Sequence, residues 1–197
     1  CSFEVVQSAV SNIRKKGFRL GLQLMPGLPG DSERIFKKSV NDVINFRPDF
    51  VRIYPTLVIK NTGLYGMYQQ GTFIPWSLEK MIEVVKEAVV RFEKADIPVI
   101  RVGLHPDPSL LENYVDGPMH PSFRYLIDSR IARDRMIKLL QTVKQMPSSV
   151  TLRVPSKRLS NYLGHKKENL AFIKSMFGLE SIKLKQETTL DQLHFVA

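Results

Sequence analysis

Leu20-Gly21-Leu22-Gln23-Leu24-Met25-Pro26-Gly27-Leu28-Pro29-Gly30-Asp31-Ser32 reads as a strand, a tight turn and the start of a helix. Alternation over Phe18–Met25 predicts the strand, with Leu20, Leu22 and Leu24 on one face and Gly21, Gln23 and Met25 on the other. Pro26 to Gly30 forms the turn, where glycine lets the backbone come close to a ligand. Asp31 or Ser32 can cap the helix that follows, and a helix N-terminus favours anionic groups. Many strand-to-helix loops share such a turn, so its use depends on the neighbouring segments.

Working outward, Val5, Val6, Ala9, Val10 and Ile13 predict an amphipathic helix over 2–16, stopped at Gly17. Further helices are expected over 31–45, over 78–95 behind the cap Ser77, and over 126–145. Strands are expected over 50–55 and 98–102. Residues 59–75 and 104–125 read as connections. This alternation predicts an α/β fold with parallel strands, the C-terminal part of a (β/α) partial barrel. Met146-Pro147-Ser148-Ser149 reads as a linker. A small α/β segment follows: strand 150–154, helix 156–163, helix 168–177, strand 181–185. Two domains are therefore expected, 1–145 and 146–197.

Each strand of the first domain has an aliphatic and a polar face. Val51 and Ile53 oppose Arg52 and Tyr54; Ile100 and Val102 oppose Val99 and Arg101, with His105 just beyond. A strand buried on both faces is normally aliphatic throughout. Gln23, Arg52, Tyr54 and Arg101 are thus expected to point inward, where charge needs a ligand or a counter-charge. Two arginines suit an anionic ligand; pairing with buried carboxylates is the alternative.

The 197 residues are 43% apolar, enough for a substantial core. No apolar run has membrane length and no leader is visible, so no membrane association is expected. The single cysteine, Cys1, excludes an internal disulfide and suits the cytoplasm. Cys1 in place of an initiator reads as the start of a fragment, with an N-terminally lipidated cysteine as the alternative. Net charge is +10, spread along the chain, which makes a polyanion such as RNA a candidate partner. No pair of histidines has metal-ligand spacing, and no metal site or catalytic residue is singled out. His105 and His120 lie in loops where histidine could serve as acid, base or polar anchor.

Met25-Pro26-Gly27-Leu28-Pro29-Gly30-Asp31-Ser32, and more specifically Pro48–Ile59 with Tyr54-Pro55-Thr56-Leu57-Val58-Ile59 and Thr62-Gly63-Leu64-Tyr65, resemble the radical S-adenosylmethionine (SAM) superfamily. Within it they resemble the Elongator catalytic-subunit family, with a likeness to proteins called oxygen-independent coproporphyrinogen oxidase-like. The resemblance covers residues 1 to about 135. It implies SAM and an iron–sulfur cluster as cofactors of the full-length parent. It places Gln23, Met25 and Gly27 beside SAM, and Arg52, Tyr54, Lys60 and Tyr65 toward the substrate; the strand faces add Arg101 and His105 as substrate-binding candidates. The Cys-x-x-x-Cys-x-x-Cys loop and four earlier strands of that family are absent from this sequence. Clusters need thiolates, so neither cofactor is expected to bind this chain stably, and the missing N-terminal half of the barrel is an expected partner.

Residues 150–185, with Gly164-His165-Lys166-Lys167 between two helices, resemble a KH module, in which a Gly-x-x-Gly turn clamps nucleic-acid backbone. Lys167 stands at the second glycine position. Lys157, Arg158, Gly164, His165, Lys166 and Lys167 would form the RNA-binding edge; a small cap without RNA contact is the alternative. The expected function is that of the C-terminal part of a radical SAM enzyme of RNA (tRNA) modification. The alternatives are a small-molecule radical enzyme and a non-catalytic RNA-binding scaffold.

Overall fold

The structure is a computed structural model and describes residues 2–188 and 194–196. The expectations for Cys1 lie outside the described residues. The fold is α/β and divides into two compact units, Cys1–Arg124 and Tyr125–Ala197.

The first unit opens with α1 (Phe3–Lys15), β1 (Gly21–Leu24), α2 (Glu33–Phe46) and β2 (Phe50–Ile53). It continues with β3 (Val58–Ile59), α3 (Gly63–Gln69), α4 (Leu78–Lys94), β4 (Val99–Val102), α5 (Pro108–Asn113) and β5 (Tyr114–Asp116). The strands expected from alternation form one parallel sheet in the order β1-β2-β4. Helices α2 and α4 pack on each other and on this sheet. Their apolar stripes follow helical spacing, and Phe36, Val40, Met81, Val85, Ala88 and Phe92 bury against Leu24, Val51, Ile53 and Val102. Ser32 caps α2 by accepting the Ile35 N–H at 3.3 Å, and Ser77 caps α4 by accepting the Lys80 N–H.

Both expected connections hold short elements. β3 and β5 form an antiparallel ribbon pairing Val58 with Asp116, and α5 is capped by Asp107 with Pro108 in its first turn. The β4 pattern also differs from expectation. A register shift pairs Val51 with Val99 but Arg52 with Arg101, so Ile100 is the extra residue and is 53% exposed. Ile100 therefore does not share the aliphatic face with Val102.

α6 (Phe123–Leu140) leads into the second unit, which holds β6 (Ser149–Pro155), a 3₁₀ turn (Ser156–Arg158), α7 (Leu159–Leu163), a second 3₁₀ turn (His165–Lys167), α8 (Glu168–Phe177), β7 (Ser181–Glu187) and β8 (His194–Val196). β6 is central, parallel to β7 and antiparallel to β8. Ala132, Met136 and Leu140 of α6 bury against Val150, Leu152, Val154, Tyr162 and Ile173. The compact units therefore part at Arg124/Tyr125, not at the 145/146 linker. The apolar stripe of α6 belongs to the second core, which a reading by composition alone does not reveal.

Candidate functional site

The C-terminal ends of the parallel strands carry the first group of candidate residues, as ligand sites of open α/β sheets do. Cross-strand register aligns Gln23 with Arg52, and Arg52 with Arg101, in one row across the sheet. All three are exposed on the face opposite α2 and α4; Tyr54, just beyond β2, is half-buried. The three residues share one row, but it lies exposed on the sheet surface and does not point into the interior as expected. Neither Arg52 nor Arg101 has an ion pair among the described residues, so the alternative of buried structural carboxylates finds no partner. Phe50 fills the gap over Gly21, where any side chain would collide with its ring. The guanidinium groups of Arg19 and Arg52 lie 5.7 and 6.0 Å from that ring's centre.

The Pro/Gly turn is closed by Asp31, whose carboxylate accepts the Gly27 N–H at 2.9 Å and the Ser32 N–H at 2.8 Å. Gly27 has φ +86°, and a Cβ there would stand 3.1 Å from Met81 Cε and 3.5 Å from Trp76. Its lack of a side chain thus allows close packing against Trp76 and against Met81 of α4. Met25 is exposed next to it, beside Gln23 on the same face. Tyr54 N–H donates to Leu24 O at 2.9 Å and Thr56 N–H to Pro26 O at 3.1 Å, so the ladder continues into the turn.

The other substrate-side candidates are held locally. Lys60 Nζ donates to Glu112 O at 3.1 Å, and Tyr65 Oη accepts from Gln69 Nε2 at 3.0 Å. His105 is exposed in the loop after β4. His120 accepts the Ser122 N–H at Nδ1, 3.0 Å away, which places the proton of its neutral form on Nε2. It lines a shallow depression with Pro55, Leu57, Gly103, Leu104, Pro118, Met119 and Phe123. Two groups outside that lining escaped sequence reasoning. The Thr56 hydroxyl is buried with no hydrogen-bond partner among the described residues. Asp116 accepts from Tyr68, and that hydrogen bond, with the carboxylate's charge, raises the Tyr68 pKa above the usual tyrosine value. Burial, then the same carboxylate, raises that of Tyr114.

The second group lies around α7. Lys157 and Arg158 precede it, Gly164, His165, Lys166 and Lys167 follow it, and every one of the five basic residues is exposed. Gly164 has φ 72° and is buried, with Asn169 beneath it. Asn169 was missed because one asparagine at a helix start carries no periodic signal. Among the described residues no group of three His, Cys, Asp or Glu could hold a metal, and no helix is long and apolar enough to cross a membrane. An iron–sulfur cluster needs several thiolates; with one cysteine in the sequence, the residues of this chain do not fit one.

Residues 48–133 match the Radical_SAM C-terminal domain. The tRNA uridine(34) acetyltransferase of Methanocaldococcus infernus is 39% identical over 90 residues, 44% of this chain and 17% of that protein. Elongator complex protein 3 of Mus musculus is 37% identical over 75 residues, 36% of this chain and 14% of that protein. A solved structure of the Methanocaldococcus infernus Elongator protein with its N-terminus deleted superposes with a TM-score of 0.53 at 29% identity, covering 66% of this chain and 31% of that one. The chain thus spans well under half the length of the relatives it matches. The strand-end motif, the parallel sheet and these matches agree in likening residues 48–133 to the Radical_SAM C-terminal domain of Elongator-like proteins.

Proposed function

We propose that this chain is the C-terminal part of a radical SAM enzyme that modifies tRNA in the cytoplasm, completed by an N-terminal half-barrel that holds the cluster. The observation that carries the reading is the Gln23–Arg52–Arg101 row. Three polar groups aligned at the C-terminal ends of parallel strands, with two guanidinium groups lacking carboxylates, suit an anionic ligand. Parallel sheets are normally covered on both faces, and here α2 and α4 cover one. The tRNA uridine(34) acetyltransferases among the relatives supply the substrate class.

In this reading Gln23, Met25 and the turn at Gly27 stand beside SAM. Arg52, Tyr54, Lys60, Tyr65, Arg101 and His105 face the substrate. Lys157, Arg158, Gly164, His165, Lys166 and Lys167 meet RNA. The chain alone is inactive because its one cysteine cannot hold the cluster.

The test uses the complete protein that contains this chain, reconstituted anaerobically with iron and sulfide, reduced, and given SAM with and without tRNA. The expected result is 5′-deoxyadenosine release that tRNA stimulates and that Arg52→Ala/Arg101→Ala abolishes. Release indifferent to tRNA, or unchanged in the double variant, overturns the proposal.

A further inference from the structure

We infer that Phe50 is a positioning residue: its ring, seated over Gly21, holds the Arg52 guanidinium on the open sheet face without neutralising it, so that Arg52 stays free to meet an anion. This role rests on the anionic-ligand reading above, since Arg52 counts here as part of the Gln23–Arg52–Arg101 row. Phe50 and Arg52 stand two apart in β2, while Val51 and Ile53 are 0% exposed on the helix-covered face. Both Phe50 and Arg52 therefore belong to the open face. Across the register Phe50 meets Gly21, and Arg52 meets Gln23. The open face is thus layered along the strands: the ring first, then the polar row, then Met25 and Tyr54 toward the C-terminal ends.

The seat of the ring is specific. A Cβ on Gly21 would run into Cε2 and Cζ of Phe50, so the ring lies across β1 in the space that the missing side chain leaves. The two strands are fixed to each other at this point. Leu20 N–H donates to the Asp49 carboxylate at 2.6 Å, and Asp49 N–H donates to Leu20 O at 2.8 Å. From β1, the Arg19 guanidinium lies 5.7 Å from the ring's centre and its Nε 3.9 Å from Asp49. The Arg52 guanidinium lies 6.0 Å from the same centre and has no ion pair among the described residues. Seated over β1, the ring does not stand between Arg52 and Arg101, which pairs with Arg52 from the other side of β2.

The chemistry favours an aromatic residue at this position. The negative face of a ring attracts a guanidinium and leaves its five N–H donors unused. A carboxylate at position 50 would hold Arg52 more tightly, but it would take the donors that an incoming anion needs. An aliphatic side chain would fill the same space with no attraction for the charge. Arg101 directly opposite repels Arg52, so an Arg52 without a hold would swing out of the row. The ring offsets that repulsion until an anion joins the two guanidinium groups.

The experiment titrates pyrophosphate by calorimetry into the complete protein that contains this chain, without SAM. The binding at issue is the part that Arg52→Ala/Arg101→Ala removes. Phe50→Leu should weaken it about two- to fivefold, and Phe50→Tyr, which keeps the ring, should bind as the parent does. Gly21→Ala keeps Phe50 but takes its seat, and should reproduce the loss. It carries the same comparison if Phe50→Leu does not fold, as checked by circular dichroism. In an Arg52→Ala background, where Arg101 remains, Phe50→Leu should cost nothing further. Absence of pyrophosphate binding, or binding indifferent to Arg52→Ala/Arg101→Ala, overturns the anionic-ligand reading and the role of Phe50 together. Parent-like binding by Phe50→Leu and Gly21→Ala overturns the role of Phe50 alone. So does a loss that is equal with and without Arg52, or one that Phe50→Tyr shares.

Discussion

The two three-stranded sheets of this chain treat their open faces differently. In the second unit, β6 alternates cleanly: Val150, Leu152 and Val154 are buried, while Thr151 and Arg153 face the other way beside Lys183 and Lys185 of β7. That face is polar and half-buried, with Arg153 and Glu187 paired at 3.4 Å. In the first unit the face away from α2 and α4 mixes the Gln23–Arg52–Arg101 row with exposed Met25 and Ile100, at 43% and 53%. A face meant only for water has no use for these apolar groups, and one meant only for packing has no use for two arginines. The mixture fits the ligand-binding wall proposed above, which would take apolar area for contact and a few placed polar groups for orientation.

Core substitutions test the shared half of this comparison and carry the largest effects. Ile53→Ala in the first sheet and Leu152→Ala in the second each remove a side chain that is 0% exposed, and each should cost about 2–5 kcal/mol by urea denaturation. Costs below about 1 kcal/mol for either would mean that its helix-covered face is not a true core.

Asn169→Ala probes the second unit's own fixture. It leaves Ser129 O and Asn161 O without their buried donor, and a loss of about 1–3 kcal/mol is expected from the same denaturation curves. A neutral result would show that this carboxamide does not fasten α8 to α6 and α7.

The smallest effect sharpens the difference itself. Ile100→Thr keeps a β-branched residue on the open face, and stability should change by no more than about 0.5 kcal/mol. A larger loss would show that this face is packed within the chain, and the contrast between the sheets would fail.

Periodicity made most of this architecture legible. The stripes of α2 and α4 and the alternation of β6 appear at nearly the expected positions, because each repeats one signal over several turns or pairs. β3 and β5 did not appear: two- and three-residue strands carry no alternation, and their pairing joins Val58 to Asp116 across the length of α4 and β4. Helix α5 had a readable start in Asp107-Pro108. Of the candidate site, the order of polar residues along each strand was legible, but their openness was not, since alternation cannot say what covers a face. The basic turn was legible as charge. The left-handed backbone of Lys166 and Lys167, at φ 47° and 64°, was not, because nothing in lysine itself favours that conformation.

The register shift beside Arg52 has a consequence for how the chain tolerates change in length. Two residues of β4 advance where β2 advances one, so Val51 still meets Val99 and Arg52 still meets Arg101. Removing Ile100 would leave these pairs opposite each other in an unbroken ladder. The meeting of the two guanidinium groups is therefore insulated from a one-residue deletion at the place where a strand would otherwise turn every side chain to the wrong side.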